Sequence, residues 1–385
     1  MPGRRKCPIF ANMKRLTTTT TLIAAAIWAH AALAAPPPKV RVMVHEGPSV
    51  APSGLGATMK LTTGDEFRGR HRNIGKLALI TAGDSGLLFR GEPLGRRASV
   101  RSGTSRYAID EREFRGELEL VWKSKSKLIV VNHLPLEDYL VGLIGSEMYP
   151  SWPVEAFKAQ AVAARTYALH HADRSGANDY DVTSTVLSQV YEGAHKEVFL
   201  ARKAVEATRG LVLTRKGAVF PSYYHSCCGG LTEHAHNVWE GELGPPQVVD
   251  NYCEASPKRS WTERMSLTSF GNALRAAGIE VGEISDVHTR PEMDSPRVEN
   301  VFVEHSGGIE VIRAAELRAI LGYSKIKSTW FELENKGGQL RFKGHGYGHG
   351  VGMCQWGAKG MADRGMGYRD ILKFYYADAE IRQAY

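Results

Sequence analysis

Between Lys39 and Val131 apolar and polar positions alternate with a period near two, the pattern of half-buried antiparallel strands. It predicts strands at Val40-Arg41-Val42-Met43-Val44, Leu77-Ala78-Leu79-Ile80, Gly116-Glu117-Leu118-Glu119-Leu120-Val121 and Leu128-Ile129-Val130-Val131. The period then changes. Leu134 to Leu169 reads as a short helix, a break at Tyr149-Pro150-Ser151-Trp152-Pro153, and a second, alanine-rich helix from Val154 to His171. Pro153 suits a first helical position, where its missing N–H costs nothing, and Glu155 favours the positive helix end. On the second helix Val154, Phe157, Ala161, Ala164 and Ala168 form one stripe, and alanines on the other faces predict enclosure on more than one side. Lys158 and Arg165 flank the stripe on one edge, Gln160 and Tyr167 on the other.

From Trp261 to Glu334 the periods mix, which reads as an elaboration on one core. It predicts a helix near Leu267 to Ala277, strands near Val298 to Glu304 and Ile309 to Ile312, and a helix near Ala314 to Leu321. A last helix is expected at Arg369 to Tyr376. The fold class is therefore α+β, with a β-rich N-terminal region at 35–115 and a larger domain at 116–385. That domain carries a central alanine-rich helix, the mixed elaboration at 261–334 and a glycine-rich C-terminal loop.

The first 34 residues read as an export signal. Lys14 and Arg15 form a positive stretch, Leu22 to Trp28 an apolar core, and Ala32-Leu33-Ala34 a small-residue cleavage site. The apolar run is too short and too interrupted by threonine to span a bilayer, and no later segment reaches that length. The expected location is the periplasm or cell-wall space. Losing Arg4, Arg5, Lys6, Lys14 and Arg15 with the signal lowers the formal charge from +8 to +3. A near-balanced surface argues against a nucleic-acid partner.

Cys7 leaves with the signal; Cys227, Cys228, Cys253 and Cys354 remain. In an exported chain they suggest up to two disulfides. Cys227 and Cys228 are adjacent, so Cys228–Cys253 is the expected pair, with Cys354 available for a second. A zinc site using His225 and some of these cysteines is the rival, although the spacing follows no standard zinc pattern.

Glu147 stands just before the break, among Met148, Tyr149 and Trp152. An acid in apolar and aromatic company is a candidate for a raised pKa, as a proton donor at neutral pH requires. An exposed loop glutamate is the alternative. The other unusual segment is GHGYGHGVGMCQWGAKG, Gly344 to Gly360. In an extended backbone His345, Tyr347, His349, Val351 and Met353 would share one face, leaving bare main chain on the other for a flat sugar ring to approach. Nucleotide-binding glycine patterns and a nucleophile elbow are missing, and His345 and His349 lack the helix and glutamate of a zinc-protease motif.

Together these segments resemble the SpoIID/LytB family, whose sporulation member is a peptidoglycan lytic transglycosylase. The resemblance rests on Leu136-Glu137-Asp138-Tyr139-Leu140, Glu147-Met148 and Trp152 through Ala168. It continues in Ser188-Gln189-Val190-Tyr191, Cys228-Gly229-Gly230-Leu231-Thr232, Gly348 to Met353 and Gln355-Trp356-Gly357-Ala358. It implies that Glu147 is the catalytic acid, with His345, His349, Gln355, Tyr167, Gln160 and Arg165 as candidate substrate contacts. For Arg165 a structural pairing with a carboxylate stands beside that role. The implied partners are peptidoglycan glycan strands and a cell-wall amidase, the latter through a non-catalytic amidase-enhancer reading. A metal-dependent wall hydrolase using His225, His345 and His349 is a third reading. Some members of the family bind zinc through a histidine and cysteines. Only His225 matches that pattern here, so no metal and no cofactor are carried over.

Overall fold

The computed structural model describes residues 37–63, 71–186, 188–239, 241, 244–290 and 295–385; the expected signal segment lies outside them. Three of the four alternating segments enter one seven-stranded sheet, and the segment ending at Ile80 joins a separate four-stranded one. The order of the larger sheet is Val182–Thr183, Lys39–Gly47, Lys127–Pro135, Glu117–Ser124, Arg97–Ser102, Met59–Thr63, His71–Gly75. All neighbours are antiparallel except the first pair. Val40, Val42, Leu61, Ala98, Val100, Leu118, Leu120 and Val130 line the face that meets the helices. Strands from both sides of residue 116 share this sheet and this core, so packing does not pause where the composition changes.

One predicted strand is displaced. The strand runs Ile80–Ala82, Leu77 making only an isolated bridge to Ser53, and Leu77 and Leu79 are 64% and 58% exposed. Ala78 and Ile80 take the buried positions. Four successive apolar residues carry no phase, so the alternation rule could not tell which pair faces inward.

Helix α1 (Leu136–Glu147) follows the long strand, and α2 (Val154–Ser175) follows the break, with Pro153 preceding its first turn. Buried alanines at 156, 159, 161, 163, 164 and 168 let α2 run between α1, α3 (Phe199–Ala207) and the strand Leu211–Arg215. A buried ion pair locks this layer: Arg165 Nε and Nη2 donate to Glu137 Oε1 and Oε2 at 2.9 and 2.8 Å. Glu137 also accepts from Gly210 N–H and the Tyr385 hydroxyl. The final strand, Glu380–Gln383, pairs with Leu211–Arg215.

A second hydrophobic core collects residues from Trp261 to Phe342. It joins two three-stranded sheets with α4 (Leu267–Ala276) and α5 (Ala314–Leu321). The chain then returns through Gly346 to Gly352 into α6 (Gln355–Asp363) and α7 (Tyr368–Tyr375), which pack on α2, before the final strand. No helix among the described residues is long and apolar enough to cross a membrane.

Candidate active site

Glu147 is the last residue of α1. Pro150 disfavours helical geometry at Tyr149, so the chain turns away there and leaves the carboxylate at an open helix end. Two segments distant in sequence close on it. Oε1 accepts the Val190 N–H at 3.1 Å, and Oε2 accepts Gln355 Nε2 at 3.1 Å. The group keeps partial access to solvent, while burial pushes its pKa up from the usual carboxylate range; the two hydrogen bonds pull against that rise.

The Val190 segment reaches Glu147 because α1 presents glycines to it. A Cβ on Gly145 would stand 1.9 Å from the Lys196 carbonyl oxygen, and one on Gly142 2.9 Å from that of Gly193. Bare backbone is what allows so close an approach. Beneath the acid, Tyr139 O–H donates to Gln189 Oε1 at 3.0 Å, and Gln189 Nε2 donates to the Tyr224 hydroxyl oxygen at 2.9 Å. Burial, reinforced by the Glu147 charge, raises both tyrosines well above their ordinary pKa. They stay neutral and cannot serve as bases.

Beside the acid lies an aromatic platform. Trp152 packs 5.4 Å from Tyr149 and 4.9 Å from Trp356, centroid to centroid, and Tyr149 is 57% exposed. Trp356 adjoins Gln355 in sequence, so the residue holding Glu147 and the residue extending the platform come from the same first turn of α6. Tyr149 is exposed and Trp356 partly so, while Trp152 is buried beneath them; such rings near a carboxylate suit the apolar face of a sugar and its polar rim.

The other predicted site residues are placed differently. Arg165 is wholly buried and bound to Glu137, so it clamps two helices and does not face a ligand. Gln160 is also wholly buried, and its amide atoms find no hydrogen-bond partner among the described residues. Tyr167 is 7% exposed, with its ring against His171 and Tyr223. His345 is exposed against Trp330. His349 lies among Tyr223, His225 and Trp239. Gln355 alone of these touches the acid.

The glycine loop also departs from the extended geometry expected of it. Gly346, Gly348, Gly350 and Gly352 have φ of 78°, 114°, 88° and 73°, a conformation that L side chains rarely adopt. Its side-chain-free faces are covered by protein: a Cβ would meet the Cys227 carbonyl at Gly346, Arg297 at Gly350 and the Tyr223 carbonyl at Gly352. No sugar can lie there. His225 Nδ1 donates to the Val351 carbonyl, and His349 Nδ1 accepts the Val351 N–H, so both rings are fixed. Burial pushes His225 down to about 4 and His349 well below its usual value, so both are neutral. His225, His345 and His349 do not gather into a ligand set among the described residues.

Cys228 and Cys253 meet as expected, but their sulfurs are 3.5 Å apart and all four described cysteines are free. The residues missed from sequence are Gln189, the Val190 N–H, Tyr139, Tyr224 and the Tyr149–Trp356 surface. Their convergence depends on contacts 43 and 208 positions long, which no local pattern encodes.

Comparison with known proteins adds two family matches. A family described as "Stage II sporulation protein" matches residues 124–215, and a domain of unknown function, DUF8618, matches residues 251–352. Over 278 residues the chain is 36% identical to an uncharacterized protein of Brachyspira hyodysenteriae, covering 71% of this chain and 74% of that one. It is 30% identical over 274 residues to stage II sporulation protein D of Bacillus amyloliquefaciens, covering 66% and 76%. Over 285 residues it is 30% identical to the amidase enhancer of Bacillus subtilis, covering 62% of this chain and 39% of that longer protein.

Proposed function

Because this chain belongs to the SpoIID family, we propose that it is an exported peptidoglycan lytic transglycosylase with Glu147 as its catalytic acid. The supporting observation is a single acid at an open helix end, raised by burial and followed in the chain by the exposed Tyr149 ring, which packs with Trp152 and Trp356. Protonated Glu147 donates its proton to the glycosidic oxygen between N-acetylmuramic acid and N-acetylglucosamine, and that C–O bond breaks. The resulting carboxylate takes the proton from the muramyl 6-hydroxyl as its oxygen bonds to the anomeric carbon. A 1,6-anhydromuramyl end forms, the acid is restored and no water is consumed.

This scheme needs one carboxyl group, unlike the usual glycosidase pair. The neighbouring acids are otherwise engaged: Glu137 with Arg165, and Glu155 with Lys158 and the Tyr368 N–H. Gln355 holds the acid, and Tyr149 and Trp356, backed by buried Trp152, carry a sugar ring. His345 and His349 then support the loop that delivers Gln355.

Denuded glycan strands and intact sacculi incubated with the purified protein test the reading. Mass spectrometry should find anhydromuramyl ends with wild type and not with Glu147→Gln; full product from the variant would sink it. The second reading is a non-catalytic partner of a cell-wall amidase, favoured by the similarity to an amidase enhancer. It expects Glu147→Gln to stimulate an amidase as well as wild type does. Either role places the protein in wall remodelling, division or sporulation.

A further inference from the structure

Cys354, the residue before Gln355, belongs to a cluster that the proposed reaction does not use. Cys228, Asp250, Cys253 and Cys354 are wholly buried, and one ligand atom from each lies within 4.8 Å of all the others. They come from three segments, with Cys228 separated by 25 residues from Cys253 and by 126 from Cys354. Cys228 Sγ is 3.5 Å from Cys253 Sγ and 3.1 Å from Asp250 Oδ2.

The groups around the cluster are arranged for negative sulfur. Gly230 N–H points at Cys228 Sγ, and the N–H groups of Cys228 and Gly357 point at Cys354 Sγ, each at 3.3 Å. Arg259 Nη1 approaches Cys253 Sγ at 3.8 Å. A neutral thiol is only a weak acceptor, whereas a thiolate accepts such N–H groups strongly. Asp250 is equally constrained: Tyr375 O–H donates to Oδ2 and Tyr252 N–H to Oδ1, both at 2.8 Å. Such outer partners orient ligating groups. Once deprotonated, three cysteines and a carboxylate buried around one point form a charge cluster that a cation at that point neutralises.

We propose that Cys228, Cys253, Cys354 and Asp250 bind a soft divalent metal ion, of which zinc is the expected species. Thiolate-rich, four-group, closed sets select zinc, and tetrahedral ligation at a Zn–S distance of about 2.3 Å spaces sulfurs about 3.8 Å apart, near the separation seen here. A disulfide between any two of the sulfurs would leave the third, the carboxylate and the aimed N–H groups without a purpose. The site is structural. It ties the segment at Cys228 to the residue preceding Gln355, and so fixes the first turn of α6 from which Gln355 reaches Glu147. Cys227 also lies against Cys253 and Cys354 but stands outside the four-atom set.

The test uses the whole protein purified without chelator, elemental analysis, and thiol titration before and after unfolding in chelator. One zinc per chain is expected, with Cys228, Cys253 and Cys354 titrating as thiols only after unfolding. Absence of metal after refolding with zinc, or a disulfide joining any two of these cysteines, overturns the proposal. Cobalt exchanged into the protein should give the intense visible bands of tetrahedral thiolate ligation. Asp250→Asn should weaken cobalt binding at least tenfold, whereas Cys227→Ser should leave it unchanged; the reverse result overturns the ligand set. Glu147→Gln should keep its full metal content, which separates this site from the reaction.

Discussion

At Glu147 burial and hydrogen bonding act in opposite directions, and each can be removed separately. Glu147→Gln keeps the shape and deletes the charge that burial disfavours. Because the folded pKa is raised, the ionised group costs stability above that pKa. The variant should lose glycan cleavage while unfolding at an equal or higher temperature, by about 1 kcal/mol in favour of the folded state. Gln355→Leu removes a donor that favours the charged form, so the Glu147 pKa should climb further. Since the acid must be protonated to act, wild-type cleavage should fall as pH rises through that pKa. In the leucine variant this limb should move to higher pH, with a lower maximum. An unmoved limb in a pH–rate profile would remove Gln355 from the role given to it. Glu147 was legible in the sequence through its aromatic neighbours and the break after it. Its partners were not, because Val190 and Gln355 approach only after the chain has folded.

At the scale of elements, α1 is shaped by what lies on either side of it. Its glycine face admits the Val190 segment, so Gly145→Ala tests placement rather than helix propensity. Alanine would ordinarily favour the helix by about 1 kcal/mol. Here its Cβ meets a backbone oxygen at 1.9 Å, and the variant should be destabilised by about 1–3 kcal/mol with cleavage reduced. The opposite attachment of α1 is Glu137. Burial alone would raise its pKa, but Arg165, Tyr385 and Gly210 hold it below the usual value of 4.5. A depressed carboxylate stabilises the fold above its unfolded pKa, and this contribution disappears as pH falls from about 4.5 through the lower folded value. Denaturant melts should show that loss in wild type. Glu137→Ala, which strands a buried guanidinium, should cost about 3–5 kcal/mol at neutral pH. Alanine periodicity announced α2 and its enclosure; it could not announce that Arg165 points inward. The glycine loop misled for a related reason. Alternate glycines read equally well as a pleated strand or as a series of positive-φ turns, and only the packed neighbours decide between them.

Across the whole molecule two hydrophobic cores meet along the return of the chain. Arg297, from the second core's segment, donates to the Cys228 carbonyl at 3.0 Å and stands 3.6 Å from buried Glu233. Arg297→Met leaves that carboxylate without its cation. Calorimetry should then show a lower melting temperature and a split of one transition into two, as the cores lose their common anchor. The elaboration was legible as a change of period near Trp261. Its attachment was not, because a lone arginine in a polar stretch carries no sign of where it will be buried.

The Tyr385 hydroxyl reaches Glu137 across 248 positions, and the strand that carries the chain there joins the sheet beside α2. A nascent chain stopped short of Glu380 therefore lacks both the strand and the hydroxyl, and its buried ion pair stays open to water. Closure over so long a separation is slow compared with local helix formation. The Glu137–Arg165 pair is therefore expected to be sealed from water late in folding, after the helices on either side of it have formed.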